Sequence, residues 1–206
     1  MARLSRDFYN QDTLDAARQL LGKYLIRRLE GETLAGRVVE TEAYVGRCDK
    51  ACHAYGYRRT ARTETLFAQP GTAYIYLIYG MYHCLNFVTE PEGEPAAVLL
   101  RALEPVAGAE VMARLRYGDK PMTPYRRKNF LNGPGKVCRA LALTRAENGL
   151  DLTGDTLFLC DGPEDIGLAP FPVSGKEHII AGPRIGVDYA EEARDFPWRF
   201  RLAKVD

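Results

Sequence analysis

Carboxylates, a histidine and aromatic rings are concentrated in the first half of the sequence. The segment 40–44 reads ETEAY, His53 follows nine residues after its tyrosine, and the segment 74–82 reads YIYLIYGMY. Aromatic faces hold flat heterocycles, and stacking on a nucleobase contributes roughly 1–3 kcal/mol per base. A carboxylate beside such rings can direct water at the neighbouring bond, so the pattern favours hydrolysis at a planar substrate. An ordinary core or surface position is the alternative for Tyr44, His53 and Tyr76.

Three polar side chains interrupt stretches that otherwise have the apolar character of buried strands. Glu42 ends a strand-like segment that contains a valine pair and Ala43, Asn86 lies between leucine and phenylalanine, and Arg101 ends the run Val-Leu-Leu. A polar group in such a strand is either placed for function or satisfied by a structural partner. From the residues alone, Glu42 can be an exposed strand end, Asn86 a hydrogen-bonded core amide and Arg101 half of a salt bridge.

A β-hairpin with a large side chain at its tip is predicted over residues 73–89. Two strand-like runs flank the turn 79–82, where Gly80 can take the positive φ of a tight turn. Tyr79 lies just before Gly80 and Met81 just after it. A large apolar side chain on an exposed turn is unusual for a soluble protein. It indicates a surface that contacts another molecule.

The net charge of +1 is divided unevenly along the chain. Residues 114–139 hold eight basic residues and one acid, a local sum of 8 − 1 = +7, and residues 58–62 hold three arginines. Acids are concentrated in 161–165 and 188–195. A basic face suits contact with phosphates, although a solvated loop explains a basic run equally well. The segment 132–136, NGPGK, leads into a predicted helix whose N-terminus and Lys136 could meet a phosphate.

Several other classes of protein are disfavoured by the sequence. The five cysteines are unevenly spaced and no secretory signal is apparent, which predicts free thiols in a reducing, cytoplasmic setting. The segment 69–89 lacks charged residues, but its glycines, tyrosines, histidine and asparagine argue against a membrane span. Cys48, Cys52 and His53 lack a second ligand pair at zinc spacing, so we predict no metal site. No dinucleotide fingerprint is present, and no cofactor is expected.

The order of predicted elements favours one α+β domain over residues 1–206. Helices and strands do not alternate as a doubly wound parallel sheet requires. Asp12 is a suitable cap for the first predicted helix. We predict helices over 13–21, 107–116 and 135–143, strands over 24–28, 34–43, 73–78, 84–89, 96–103 and 156–160, and a long polar loop over 45–69.

Five motifs, in this order, carry a resemblance to a known family. They read VVETEAY, ACH, GTAYIYLIYGMYHCLNF, VLLRALEP and NGPGKVCRALAL. Together they resemble the alkyladenine (3-methyladenine) DNA glycosylase family of bacterial type, from about Leu14 to about Phe200. The resemblance implies a single compact domain with a mixed, largely antiparallel curved sheet, a protruding β-hairpin and flanking helices, similar to the C-terminal domain of formyltransferases.

The resemblance also implies roles for the residues of a base-binding site. Glu42 matches the family's general base, and Arg101 matches the residue that holds the attacking water with it. Tyr44 would cover one face of a flipped base, and His53 and Tyr76 the other. In addition, the resemblance places Asn86 at the pocket floor, where it helps to reject bases with a purine 2-amino group.

Contacts with DNA are implied for a second set of residues. Tyr79 matches the wedge that fills the gap left by the flipped nucleotide, and Met81 assists it. Arg58, Thr60 and Lys136 match residues that the family uses on the DNA backbone.

The function implied by the resemblance is a monofunctional DNA glycosylase of base excision repair. It would remove alkylated or deaminated purines from double-stranded DNA by water attack at C1′, leaving an abasic site. The expected protein is a monomer in the cytoplasm, associated with the nucleoid and not with a membrane. A non-catalytic nucleic-acid structure-binding protein is the alternative, and a formyltransferase-like enzyme is a weaker one. The chain departs from animal members at His83 and in the acidic segment 90–94.

Overall fold

One antiparallel sheet of eight strands organises the chain. The computed structural model describes residues 3–173 and 175–205, and every strand pairing in it is antiparallel. The strand order is β3-β4-β5-β2-β1-β6, with β8 paired to β2 and β7 to β8. The strands are β1 (Tyr24–Leu29), β2 (Glu32–Val45), β3 (Ala73–Ile78), β4 (Tyr82–Val88), β5 (Ala96–Ala107), β6 (Leu157–Cys160), β7 (Glu177–Gly182) and β8 (Arg199–Lys204).

Five α-helices and five short 3-10 helices accompany the sheet in the described residues, so the predicted α+β class is confirmed. The α-helices are α1 (Arg6–Tyr9), α2 (Thr13–Gln19), α3 (Ala109–Tyr117), α4 (Pro124–Lys128) and α5 (Pro134–Ala140). The 3-10 helices are Tyr55–Tyr57, Glu64–Phe67, Arg145–Glu147, Pro163–Ile166 and Glu191–Asp195. None of the helices in the described ranges has the length and apolarity that crossing a bilayer requires.

The two faces of the sheet have different partners. On one face, apolar residues pack against α2, α3 and α5, and this is the main core. The other face carries a smaller apolar cluster beneath the segment 52–67. Members of the main core from the sheet and helices include Leu20, Leu85, Phe87, Val98, Leu100, Leu103, Met112, Val137 and Leu141.

The central pair, β2 and β5, has three register irregularities, and two adjacent ones change which residues point to each face. The pairing passes from Val38↔Leu103 to Glu40↔Ala102 and then to Thr41↔Leu100, so one extra residue lies first in β2 and then in β5. The extra residue of β5 is Arg101. A bulge re-aims the side chains that follow it. Leu103 and Leu100 therefore both face the helices, although three positions separate them.

Most predicted elements agree with the structure, with informative differences. Asp12 caps α2 by accepting from the backbone N–H groups of Leu14 and Asp15. Arg101 does not end its strand, because β5 continues through the bulge to Ala107. The loop predicted over 45–69 contains two 3-10 helices. Elements that were not predicted are α1, α4, β7, β8 and the last three 3-10 helices.

Candidate active site

A cavity of about 400 Å³ lies on the sheet face away from the helices. Alternate residues of three neighbouring strands line it, which are Tyr74, Tyr76 and Ile78 from β3, Cys84 and Asn86 from β4, and Ala97, Leu99 and Arg101 from β5. The segments 51–53 and 185–189 complete its walls. This volume suits a ligand the size of a nucleobase.

Glu42 lies directly behind this wall, with no solvent-exposed surface. Its Oε2 accepts from the Tyr44 hydroxyl at 2.8 Å and from Nη1 of Arg101 at 3.3 Å. Its Oε1 accepts from the backbone N–H of Ile185 at 2.8 Å. All three donors belong to residues that line the cavity, so the carboxylate is fixed at the cavity's edge.

Arg101 holds two carboxylates at once. Its Nε donates to Glu40 Oε1 at 3.2 Å while its Nη1 reaches Glu42. Arg199 on β8 also donates to Glu40, at 3.3 Å. Burial opposes the charge of Arg101, but the charges of Glu42 and Glu40 outweigh it and raise the pKa of its guanidinium. The salt bridge considered from sequence is thus present, and it joins Arg101 to Glu42 itself.

The three aromatic residues predicted to hold a base do line one cavity. The rings of His53 and Tyr76 meet edge to face, with centroids 4.6 Å apart and an interplanar angle of 80°. Tyr44 stands on a different strand, and the guanidinium of Arg184 lies 4.7 Å from its ring centroid. Burial, then the charge of Glu42, raises the pKa of Tyr44 well above its ordinary value, so its hydroxyl keeps its proton.

His53 has both ring nitrogens occupied. Nδ1 lies 3.0 Å from the Tyr74 hydroxyl, and Nε2 lies 3.3 Å from Nη2 of Arg62. Burial, followed by the charge of Arg62, lowers the pKa of His53 to about 4. The imidazole is therefore neutral near pH 7, which suits a wall of the cavity and does not suit a proton donor.

Asn86 has structural hydrogen bonds and also lines the cavity, so both positions considered from the sequence apply to it. Its amide nitrogen donates to the backbone carbonyls of Tyr74 and Cys84, at 3.1 and 3.4 Å. The buried amide is therefore satisfied, while the residue also lines the cavity. Its orientation is fixed before any ligand binds.

A buried ion pair that the sequence analysis missed supports the far wall. Arg184 donates to both oxygens of Asp49 and to the carbonyls of Ala43 and Ala193, and both charged side chains are fully buried. These contacts anchor the segment that brings the N–H of Ile185 to the carboxylate of Glu42. The only signal in the sequence was a lone arginine within GPRIG, which could not reveal a partner 135 positions away.

The tip of the β3–β4 hairpin is exposed and backbone-strained. Tyr79 and Gly80 both have positive φ, 52° and 68°, and the N–H of Met81 donates to the carbonyl of Ile78 at 3.2 Å. Positive φ was predicted for Gly80 alone, and it is uncommon for a tyrosine. Tyr79 is 79% exposed and Met81 67% exposed, and Tyr79 also lines the cavity mouth.

The residues expected to contact a DNA backbone lie in the turn 58–63 and in α5. Arg58 and Thr60 are exposed, and the buried Thr63 fixes their turn by donating to the Arg58 carbonyl and accepting from the Thr60 N–H. Lys136, on α5, donates to Asn132 Oδ1 at 2.8 Å. The same helix begins beside the hairpin, since a Cβ at Gly135 would lie 2.9 Å from the Tyr82 Cβ.

Part of the basic run is structural. Arg116 donates to the carbonyls of Asn129 and Phe130, and Arg126 to that of Pro121. Burial, followed by the charge of Arg116, lowers the pKa of Lys136, and residues 114–139 hold eight basic residues against one acid. Such an uncompensated positive surface attracts phosphates.

Two glutamates of the acidic segment 90–94 form hydrogen bonds that stabilise the structure. Glu90 is buried and accepts from Thr13 at 2.6 Å and from Arg47. Glu94 accepts from the Tyr57 hydroxyl at 2.7 Å. Within the described residues, no cluster of three or more histidine, cysteine, aspartate or glutamate side chains is arranged to hold a metal ion.

Comparison with known proteins agrees with this arrangement over nearly the whole chain. A family model described as methylpurine-DNA glycosylase matches residues 7–205. The chain belongs to the methylpurine-DNA glycosylase family. It is an enzyme that hydrolyses N-glycosyl bonds, and DNA is its substrate.

Relatives of this glycosylase include bacterial proteins with a provisional assignment as 3-methyladenine DNA glycosylases. One from Clostridium perfringens (strain SM101 / Type A) is 50% identical over 203 residues, covering 97% of this chain and 95% of the relative. One from Bacillus cytotoxicus is 52% identical over 193 residues, covering 94% and 92%. The similarity thus includes every element that contributes to the cavity.

Proposed function

We propose that this chain is a monofunctional 3-methyladenine DNA glycosylase of base excision repair that flips damaged purines out of duplex DNA. The substrates proposed are purines of the 3-methyladenine, 7-methylguanine, hypoxanthine and ethenoadenine class, and the product is an abasic site. The observation that carries this proposal is the buried carboxylate of Glu42, whose three hydrogen-bond donors all line an aromatic cavity.

The flipped base occupies the cavity between Tyr44 on one side and the His53–Tyr76 pair on the other. A base that leaves the helix loses its stacking, and two aromatic walls replace it. Electron-rich rings also favour a purine that alkylation has made cationic. Asn86, held in place by two backbone carbonyls, helps to reject undamaged guanine through its 2-amino group at the floor, and the positive charge of 7-methylguanine offsets this penalty.

Water then attacks C1′ while the C1′–N bond breaks and the base leaves with the bonding electron pair. Glu42 acts as the carboxylate that takes the proton from this water. Its Oε1 accepts one hydrogen bond from protein, from Ile185 N–H, and a carboxylate oxygen can accept two. Arg101 orients the carboxylate and contributes positive charge beside the water. No lysine Schiff base is involved, so strand cleavage is not expected.

Cationic bases are the easier substrates in this pocket. A neutral base such as hypoxanthine needs a proton as it leaves, and His53 is a poor donor because both its nitrogens are occupied and burial lowers its pKa to about 4. A base that already carries positive charge needs no donor. We therefore expect excision of 3-methyladenine, which is cationic and has no 2-amino group, to exceed that of hypoxanthine after the intrinsic reactivity of each is taken into account.

The exposed hairpin enters the duplex during this process. Tyr79 fills the space left by the flipped nucleotide and Met81 supports it, since apolar side chains inserted between base steps offset lost stacking. Arg58, Thr60 and Lys136 hold the backbone around the lesion. We expect the protein to act as a monomer on the DNA of the nucleoid, in the cytoplasm.

Incubation with a duplex carrying one hypoxanthine or one 7-methylguanine tests the proposal. Gel analysis after alkali should show cleavage at the lesion, and gel analysis without alkali should show intact strands. Cleavage without alkali would contradict the monofunctional mechanism. Binding without any base release would favour the alternative, a non-catalytic nucleic-acid structure-binding protein.

A further inference from the structure

An exposed arginine outside the cavity lining contacts the histidine wall from behind. Nη2 of Arg62 lies 3.3 Å from Nε2 of His53, and its guanidinium carbon lies 5.3 Å from the Tyr76 ring centroid. Arg62 is not among the residues that line the cavity. It therefore touches both rings of one wall without occupying the space for a base.

These contacts determine the tautomer of His53. A guanidinium has only donors, so Nε2 of His53 must accept and carries no proton. The single proton of the neutral ring is then on Nδ1, from which it is donated to the Tyr74 hydroxyl 3.0 Å away. Protonation at Nε2 would direct an N–H at the guanidinium, and Arg62 would have to leave first.

We propose that Arg62 is a positioning residue that locks His53 in the Nδ1–H tautomer and keeps its ring uncharged, so that the wall continues to accept cationic purines. This inference rests on the proposed function. The groups facing the imidazole are Arg62 from the turn 58–63, Tyr74 and Tyr76 from β3, and Cys52 beside it in sequence. None of these is a carboxylate that would favour an imidazolium.

Burial is the larger cause that lowers the pKa of His53, and the charge of Arg62 is the second. Without Arg62, the ring should therefore acquire a proton at a higher pH. A cationic ring would repel an alkylated purine more than a neutral one. Loss of Arg62 should therefore make the preference between lesions depend on pH. Loss of a purely structural residue would not have this effect.

The direct test is an NMR titration of the three histidines in the full chain, comparing wild type with Arg62→Gln and Arg62→Lys. In Arg62→Gln the pKa of His53 should rise by about 0.5–1 unit, because a like charge is lost. Arg62→Lys keeps the charge and should stay close to wild type. Arg59→Gln is the matched control, since Arg59 pairs with Glu64 on the same turn. An unchanged His53 pKa in Arg62→Gln would overturn the proposal.

Single-turnover excision of 7-methylguanine and hypoxanthine from the same duplex gives the functional readout. For a pKa raised by one unit, the ratio of the two rates at pH 4.5 should fall about threefold relative to wild type, while Arg59→Gln and Arg62→Lys keep the wild-type ratio. A raised His53 pKa with an unchanged ratio would overturn the role in lesion preference. If wild type releases neither base, the proposed function fails, and the titration still decides whether Arg62 controls His53.

Discussion

Glu42 has a carboxylate in which each oxygen already meets a donor from protein. In Glu42→Gln the side chain keeps its length but loses the ability to take a proton from water. We expect single-turnover excision to fall by on the order of 10²–10⁴-fold or more, with DNA affinity retained within a few-fold. Glu64→Gln, at an exposed glutamate paired with Arg59, is the control and should excise normally. Excision by Glu42→Gln within a few-fold of wild type would show that another group activates the water.

At this scale, the sequence predicted the types of side chain better than their surroundings. Glu42, Tyr44 and Arg101 could be assigned because their motifs resemble a family. The contacts of Glu42 with Arg101 and Ile185 could not be predicted, since these partners are distant from it in sequence. The Asp49–Arg184 pair could not be predicted, because the arginine within GPRIG does not indicate a partner 135 positions away.

At the scale of elements, the β3–β4 hairpin combines strain with exposure. Tyr79 adopts a left-handed backbone conformation that costs a tyrosine about 1 kcal/mol, and asparagine tolerates it better. Tyr79→Asn should therefore raise the free energy of unfolding by about 0.5–1 kcal/mol, measured by urea titration. Stopped-flow fluorescence of an ethenoadenine lesion should show a smaller flipped population, because the wedge is lost.

Tyr125 provides the matched control for this hairpin experiment. It is 76% exposed, like Tyr79, but lies in α4. Tyr125→Asn should give no gain in stability and no change in flipping. If the flipped population with Tyr79→Asn equals that with wild type, Tyr79 has no wedge role and is an ordinary surface aromatic.

The apolar strands were predictable, and the register irregularities of the central pair were not. The hairpin strand 73–78 was predicted with its observed limits. The bulges in β2 and β5 have no recognisable sequence signature, yet the extra residue Arg101 is what places both Leu100 and Leu103 on the helix face. The strands β7 and β8 were missed because their residues are mostly half-exposed or exposed, so apolar runs do not mark them.

At the scale of the whole molecule, the face of the sheet that packs on helices is separate from the face that holds the cavity. The cavity face depends on the fully buried Asp49–Arg184 pair. Asp49→Asn leaves a buried guanidinium without its counter-charge, and the expected loss is about 3–5 kcal/mol of unfolding free energy. Urea denaturation measures this loss. Glu191→Gln, at the exposed bridge to Lys50, should leave the midpoint unchanged, and an equally small effect in Asp49→Asn would contradict a supporting role.

The positive charge on this surface affects binding to every DNA molecule, damaged or undamaged. Lys136 lies on the surface next to the hairpin and beside other positive charges. If it contacts a phosphate, Lys136→Gln should weaken binding to damaged and undamaged duplexes equally, and the slope of log K against log salt should flatten by about 0.9. Lys23→Gln is the control, since Lys23 is already paired with Asp161, and its slope should match wild type. A loss confined to damaged DNA would instead place Lys136 in contact with the flipped base, because a phosphate contact carries no information about the lesion.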